Sequence, residues 1–279
     1  MKYQAGLPEH NDNISHEHPL KDFGLILVVL SAAVLLGFLA LGWLVDVVVD
    51  RMSPQTEARL TEVMAWTPPP GEPAMRAREA WLQSVVDGMR GCAGVGQPVA
   101  VRVREDETPN AMVAPGGLVI VFSGLFDHVR SENGMAFVLA HELSHMANRD
   151  HLRALGRSLV LVTAATVLTG DGSGTAGVLA PAWQLGDSGY SRGREAAADA
   201  RALAILACRY GHAGGATEFF EALQEEEGDT PALAHYLASH PSMAARIAAL
   251  RAALPATEGQ AGKADGALRP LPRFDGGGQ

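Results

Sequence analysis

The stretch MAFVLAHELSHMAN, Met135 to Asn148, decides how the chain is read. Met135 to Ala140 is apolar and suits a helix, and His141-Glu142-Leu143-Ser144-His145 continues it. Positions i and i+4 of a helix share one face, so the two imidazoles can be adjacent ligands of one zinc ion. Glu142 stands beside the first of them, where its carboxylate reaches a metal-bound water. Zinc lowers the pKa of that water to about 7, and a glutamate takes its proton as the oxygen attacks a peptide carbonyl. Burying two histidines and a glutamate without such a task would be costly.

Upstream, Ser131 is a candidate N-cap for this helix, with Glu132 well placed against the helix dipole. Leu118 to Phe122 is a β-branched run. Val99 to Val103 alternates apolar and polar residues, which predicts a strand. Asn110 to Val121 reads as an edge strand or a core hairpin, with Pro115-Gly116-Gly117 making the turn or bulge. Helical patterns precede these strands at Ser53 to Trp66 and Ala74 to Met89. Thr67 to Pro73, with its consecutive prolines, separates the two. Phe23 to Val45 contains no charged residue. It is long enough to cross a bilayer core, which takes roughly 20 apolar residues in a helix. Trp43 sits near one end, where an interfacial aromatic belongs. The stretch reads as an uncleaved anchor rather than a signal peptide. Met1 to Asp22, with His10, His16 and His18, reads as a polar tail.

Downstream, Leu159 to Leu168 is too short for a second span and suits a buried or interfacial helix. A long helix is predicted from Ser191 to Tyr210, closed by Gly211, with further helical segments between Ala213 and Leu254. Pro255 to Gln279 is rich in Gly and Pro and is expected to be disordered. The domain plan is therefore a tail (1–22), a transmembrane helix (23–45), a membrane-proximal helix and linker (46–73), a catalytic domain (74–254) and a C-terminal tail (255–279). The fold class is α+β, mostly helical with a small sheet.

The 279 residues are 47% apolar and 19% charged, with a formal net charge of −9. That acidic balance disfavours nucleic-acid binding, which needs a cationic footprint. Cys92 and Cys208 have no C-x-x-C partner. They form either one bridge in an oxidising compartment or two unpaired core residues.

A catalytic zinc needs a third protein ligand and an open position. The downstream candidates are Asp150, His151, Asp171, Asp187, Glu195, Asp199 and His240. Asp150 and His151 look too close in sequence to reach back. Glu195 and Asp199 lie one turn apart near the start of a predicted helix. There Glu195 could ligate while Asp199 supports a ligand histidine. A solvated acidic pair beside Arg192 and Arg194 is the other reading of that spacing.

H-E-L-S-H at 141–145, R-E-A-A-A-D at 194–199, S-H-P-S-M-A-A-R at 239–246 and N-A-M-V-A-P-G-G-L-V-I-V-F-S-G-L at 110–125 occur in that order. With these motifs the chain resembles the HtpX-like and CAAX-prenyl-protease-like zinc metallopeptidases, of the gluzincin type. The resemblance implies a zinc ion held by His141, His145 and Glu195, with Glu142 as general base and Asp199 supporting a ligand. It places His240 near the metal, either stabilising an oxyanion or occupying the open metal position, and sets Arg246 beside Asp199 or Glu195. Asn110, Ala111, Met112 and Val113 correspond to an edge strand that holds extended substrate. HtpX-type relatives carry several spans, whereas this chain looks like a single-anchor branch.

The activity implied is that of a membrane-anchored zinc metalloendopeptidase for unfolded or damaged membrane and envelope proteins. The N-terminal helix would contact lipid, in a bacterial inner membrane. Single-anchor relatives point to a periplasmic domain. Lys21 on one flank against Arg51 and Arg59 on the other leans towards the cytoplasm. The second reading is a latent metal-binding or chaperone-like module with little protease activity. A processing enzyme for one lipidated partner is a third.

Overall fold

The computed structural model describes residues 19–63, 73–169, 192–225, 240, 243–260 and 268–274. Two compact units divide the chain, Met1–Leu44 and Val45–Gln279. The described part of the first unit is helix α1 (Pro19–Arg51), whose last turns belong to the second unit. Among the described residues it is the helix long and apolar enough to cross a membrane. It extends beyond the predicted span at both ends, and takes in Pro19 to Asp22, which the sequence assigned to the tail.

The second unit contains α2 (Pro54–Val63), α3 (Pro73–Ala93), β1 (Ala100–Arg104), β2 (Ala111–Ala114), β3 (Leu118–Phe122), α4 (Glu132–Ala147), α5 (Asp150–Thr169), α6 (Arg192–Tyr210), α7 (Glu218–Glu225) and α8 (Met243–Gln260). Pro73 opens α3 at a position where its missing N–H costs nothing. Gly211, at φ 81°, takes the left-handed conformation that closes α6. The linker at 64–72 and the glycine-rich segment at 170–177 lie outside the described residues.

The sheet order is β1-β3-β2, with β1 parallel and β2 antiparallel to β3. All five residues of β3 are buried, as the central strand of three, while β1 alternates exposed and buried residues. β2 is an edge. Phe122 N donates to Asn110 O at 2.9 Å. Antiparallel pairing alternates, so the backbone groups of Ala111 and Val113 point away from β3. Asn110 Oδ1 accepts from Ala111 N at 2.9 Å.

Helix α4 is the centre of the unit. Every residue from Asn133 to Met146 is buried, and the helix packs against α3, α5, α6, α7 and β2. A helix that is covered all round needs no amphipathic stripe, and α4 has none. Leu139 and Leu143 enter the main core, and Phe137 meets Phe220 of α7 edge to face at 6.0 Å. Ser131 caps α4, its side chain accepting from Gly134 N at 3.0 Å. Its hydroxyl donates to Glu218 Oε1 at 2.8 Å, which fastens α7 to the start of α4.

Two expectations are revised, and one open question is answered. The segment from Leu159 is not a separate short helix, because α5 begins at Asp150 and runs on through it. The C-terminal tail is not structureless from Pro255, since α8 continues to Gln260. Residues 268–274 also pack on the domain, with Arg269 O accepting from Glu132 N at 2.7 Å and Phe274 stacking edge-on to Trp81 and Phe126. The cysteines, left open by the sequence, are joined as Cys92–Cys208 with Cα atoms 6.0 Å apart, linking α3 to α6.

Candidate metal centre

His141 and His145 leave α4 on one face, and their Nε2 atoms lie 3.0 Å apart. Each ring is held from behind by a carboxylate: His141 Nδ1 is 3.0 Å from Asp199 Oδ1, and His145 Nδ1 is 3.0 Å from Asp150 Oδ2. A ring whose Nδ1–H donates to a carboxylate presents an unprotonated Nε2. Two such lone pairs facing each other repel unless a cation lies between them.

Glu195, in the first turn of α6, completes the front. Its Oε2 is 3.4 Å from His141 Nε2, and its Oε1 is 3.2 Å from His145 Nε2. Oε1 is buried with no hydrogen-bond partner, a costly position for a carboxylate oxygen that binds nothing. His240 Nδ1 lies 3.0 Å from Glu195 Oε2, and its Nε2 is 3.8 Å from Glu142 Oε1. One ligand atom each from His141, His145, Glu195 and His240 fall within 4.8 Å of one another, all four residues buried. This donor set of imidazoles and a carboxylate fits a divalent metal of the zinc kind.

Arg246 of α8 supports the cluster from the side. Its NH1 donates to Glu195 Oε2 at 2.8 Å, while Nε and NH2 grip Asp199 at 2.8 and 2.7 Å. Burial works against the charge on Asp199, but Arg246 and His141 outweigh it and hold the carboxyl below its usual range. Glu195 is lowered in the same way, the neighbouring imidazoles of His141, His145 and His240 outweighing burial. On His145 burial opposes protonation, yet Asp150 and Glu195 raise it to about 9. The negative field that attracts that proton also favours a divalent cation. Burial pushes Glu142 up to about 7 and His240 down to about 4.

The structure thus brings together His141, Glu142, His145, Glu195, Asp199, His240 and Arg246. Asn110 to Val113 lie apart on the sheet edge, in a strand that packs against α4. Asp150 corrects the sequence reading. It does reach back, to His145 Nδ1 rather than to the metal face, because Asn148 and a left-handed Arg149 turn the chain between α4 and α5. His151 does not join the cluster and instead meets Glu57 of α2 at 3.3 Å. Asp171 and Asp187 lie outside the described residues.

A buried helix bearing H-E-x-x-H, joined by a glutamate from the following long helix and flanked by a small sheet, is the architecture of a zincin-type metallopeptidase domain. Residues 76–254 match peptidase family M48, and the chain belongs to that family. It is 31% identical over 164 residues to the mitochondrial metalloendopeptidase OMA1 of Schizosaccharomyces pombe, covering 56% of this chain and 46% of that one. It is 32% identical over 169 residues to the metalloprotease LoiP of Escherichia coli, covering 56% of this chain and 63% of that one. A protease HtpX homologue of Bordetella pertussis is 40% identical over 85 residues, 29% of this chain and 28% of its own. The matches span less than two thirds of each of these relatives.

Proposed function

We propose that the protein is a membrane-anchored zinc-dependent endopeptidase. The observation that carries this reading is the pair of Nε2 atoms 3.0 Å apart, each with its Nδ1 committed to a carboxylate. His141, His145 and Glu195 would hold the zinc. When bound, the metal would polarise the scissile carbonyl and acidify water. Glu142, raised by burial to about 7, would in its ionised form take the proton from the attacking water and then pass it to the leaving amine. His240, with Nδ1 committed to Glu195, turns its unprotonated Nε2 towards Glu142, where it would help orient that carboxyl. The β2 edge, through Ala111 and Val113, aligns an extended substrate by main-chain hydrogen bonds. Such bonds read no sequence, which suits unfolded or damaged proteins as substrates and a role in quality control of membrane or envelope proteins.

We place the protein as single-pass, with the peptidase domain on the periplasmic side of a bacterial inner membrane. The Cys92–Cys208 bridge supports this side, because such bonds persist in oxidising compartments. A cysteine-modifying reagent that cannot cross membranes, applied to intact cells after reduction, tests it. Labelling only after the membrane is broken would overturn that orientation.

The test of function uses the full chain in detergent, as wild type and as Glu142→Gln. Both should bind about one zinc, with cleavage of an unfolded protein by the wild type alone. A wild type that binds no zinc overturns the reading. A second reading, a latent module, is favoured by one observation: His240 brings a fourth ligand atom into the same cluster. A zinc-loaded wild type without activity that gains it in His240→Ala would establish that reading.

A further inference from the structure

Asn148 and Arg149 join the metal helix α4 to α5, and Arg149 makes the turn. Its φ is 55°, and among the described residues it is the non-glycine residue with positive φ. That conformation crowds Cβ against the backbone and falls routinely to Gly or Asn. An arginine there calls for an explanation, and the side chain provides one. Its NH1 donates to Val49 O at 2.9 Å and to Met52 O at 2.7 Å, where α1 ends. Val49 O also accepts from Met52 N at 3.2 Å, and Arg149 adds a side-chain donor to both carbonyls at this helix end.

The following residue faces the opposite way. Asp150 is 3% exposed, and its Oδ2 meets His145 Nδ1 at 3.0 Å. Consecutive side chains of one tight turn therefore touch the end of α1 and the back of a metal-facing imidazole. The rest of the joint is ionic. Arg153 pairs with Asp50, Arg157 meets Asp46 at 2.9 Å, and Arg194 lies 3.5 Å from Asp150 Oδ1.

We propose that Arg149 and Asp150 act as a positioning pair, in which the Arg149 clamp on Val49 O and Met52 O, where α1 ends, holds Asp150 against His145 and so sets how firmly the metal is bound. This rests on the metal-centre reading above. Asp150 fixes the tautomer and tilt of His145, as a carboxylate behind a ligand histidine does. Arg149 fixes Asp150, because it pins the residue directly before it in the two-residue turn between the helices. The end of α1 is then part of the metal site's support and not merely a tether.

The test is a double-mutant cycle on the full chain in detergent, read as zinc affinity by competition with a chelator. Asp150→Ala should weaken zinc binding by about 10–100-fold. Arg149→Gly keeps the left-handed turn but removes the clamp, and should weaken binding several-fold. In the Asp150→Ala background, Arg149→Gly should add nothing, because its effect passes through the missing carboxylate. Arg149→Lys, which keeps a cationic donor on a shorter side chain, should fall between wild type and Arg149→Gly, and serves if the glycine variant fails to fold. Unchanged zinc affinity in both Arg149 variants, or an equal loss with and without Asp150, would overturn the proposal while leaving the metal centre intact. A wild type that holds no zinc would instead overturn the functional reading on which the proposal stands.

Discussion

Arg246 grips Asp199 with two nitrogens, Nε at 2.8 Å from one carboxylate oxygen and NH2 at 2.7 Å from the other. Both residues are buried. Removing one member of a buried pair strands the other charge and costs about 3–5 kcal/mol. Arg246→Ala should lose stability of that order in a denaturant titration with chelator present. Arg246→Lys should lose less, since it keeps the charge but cannot fork.

Metal removal should be visible without any substrate. A ligand at about 100 times its Kd stabilises the folded state by about 2.7 kcal/mol. Zinc should raise the melting temperature of the wild type, and chelation should reverse the rise. His145→Ala, which loses a central donor, should melt at one temperature with or without zinc. A variant that still responds would place the ion elsewhere.

The sheet edge makes a kinetic prediction. Val113 directs its backbone N–H away from β3, and proline fits the extended φ of a strand while deleting that donor. Val113→Pro should raise KM for an unfolded protein several-fold and leave zinc content unchanged. Val113 is also a core residue, 4% exposed, so some loss of thermal stability accompanies the change. An unaltered KM would remove β2 from the substrate path.

Glu57 sets a pH dependence away from the metal. Burial pushes its carboxyl up, but the hydrogen bond to His151, helped by Gly116 N–H and Arg149, brings it below the ordinary range. A carboxyl lowered in the folded state adds stability above its unfolded pKa, and that stability fades as pH falls through the folded value. Wild type should therefore lose stability below about pH 4.3, the unperturbed glutamate value. Glu57→Gln should be less stable at neutral pH and show a shallower loss on acidification. Parallel melting curves from pH 3 to 7 would refute this.

Local pattern was enough to read the anchor, α3, α4, α6 and the strands, because apolar periodicity, prolines and caps act over a few residues. H-E-x-x-H was legible for the same reason, since i and i+4 meet on any helix. Asp150 was missed because closeness in sequence was taken to prevent contact. A left-handed Arg149 reverses that conclusion, and arginine gives no local sign of that conformation. His240 became legible only through the family's motif, since its place beside Glu142 depends on how α8 docks. The cysteine pair, 116 residues apart, depends on α3 meeting α6, which spacing does not encode. The docking of residues 268–274 was missed because their composition resembles that of a loose tail.

The Cys92–Cys208 bond has a further consequence. His141, Glu142, His145 and Glu195 all lie between its two ends, inside a covalent ring. A single cut anywhere in that ring, by the enzyme itself or by another protease, would leave both pieces tied together. Such a nicked chain would run as one species on a non-reducing gel and as two after reduction. Intactness of the polypeptide and integrity of the folded unit are therefore separate properties in this protein.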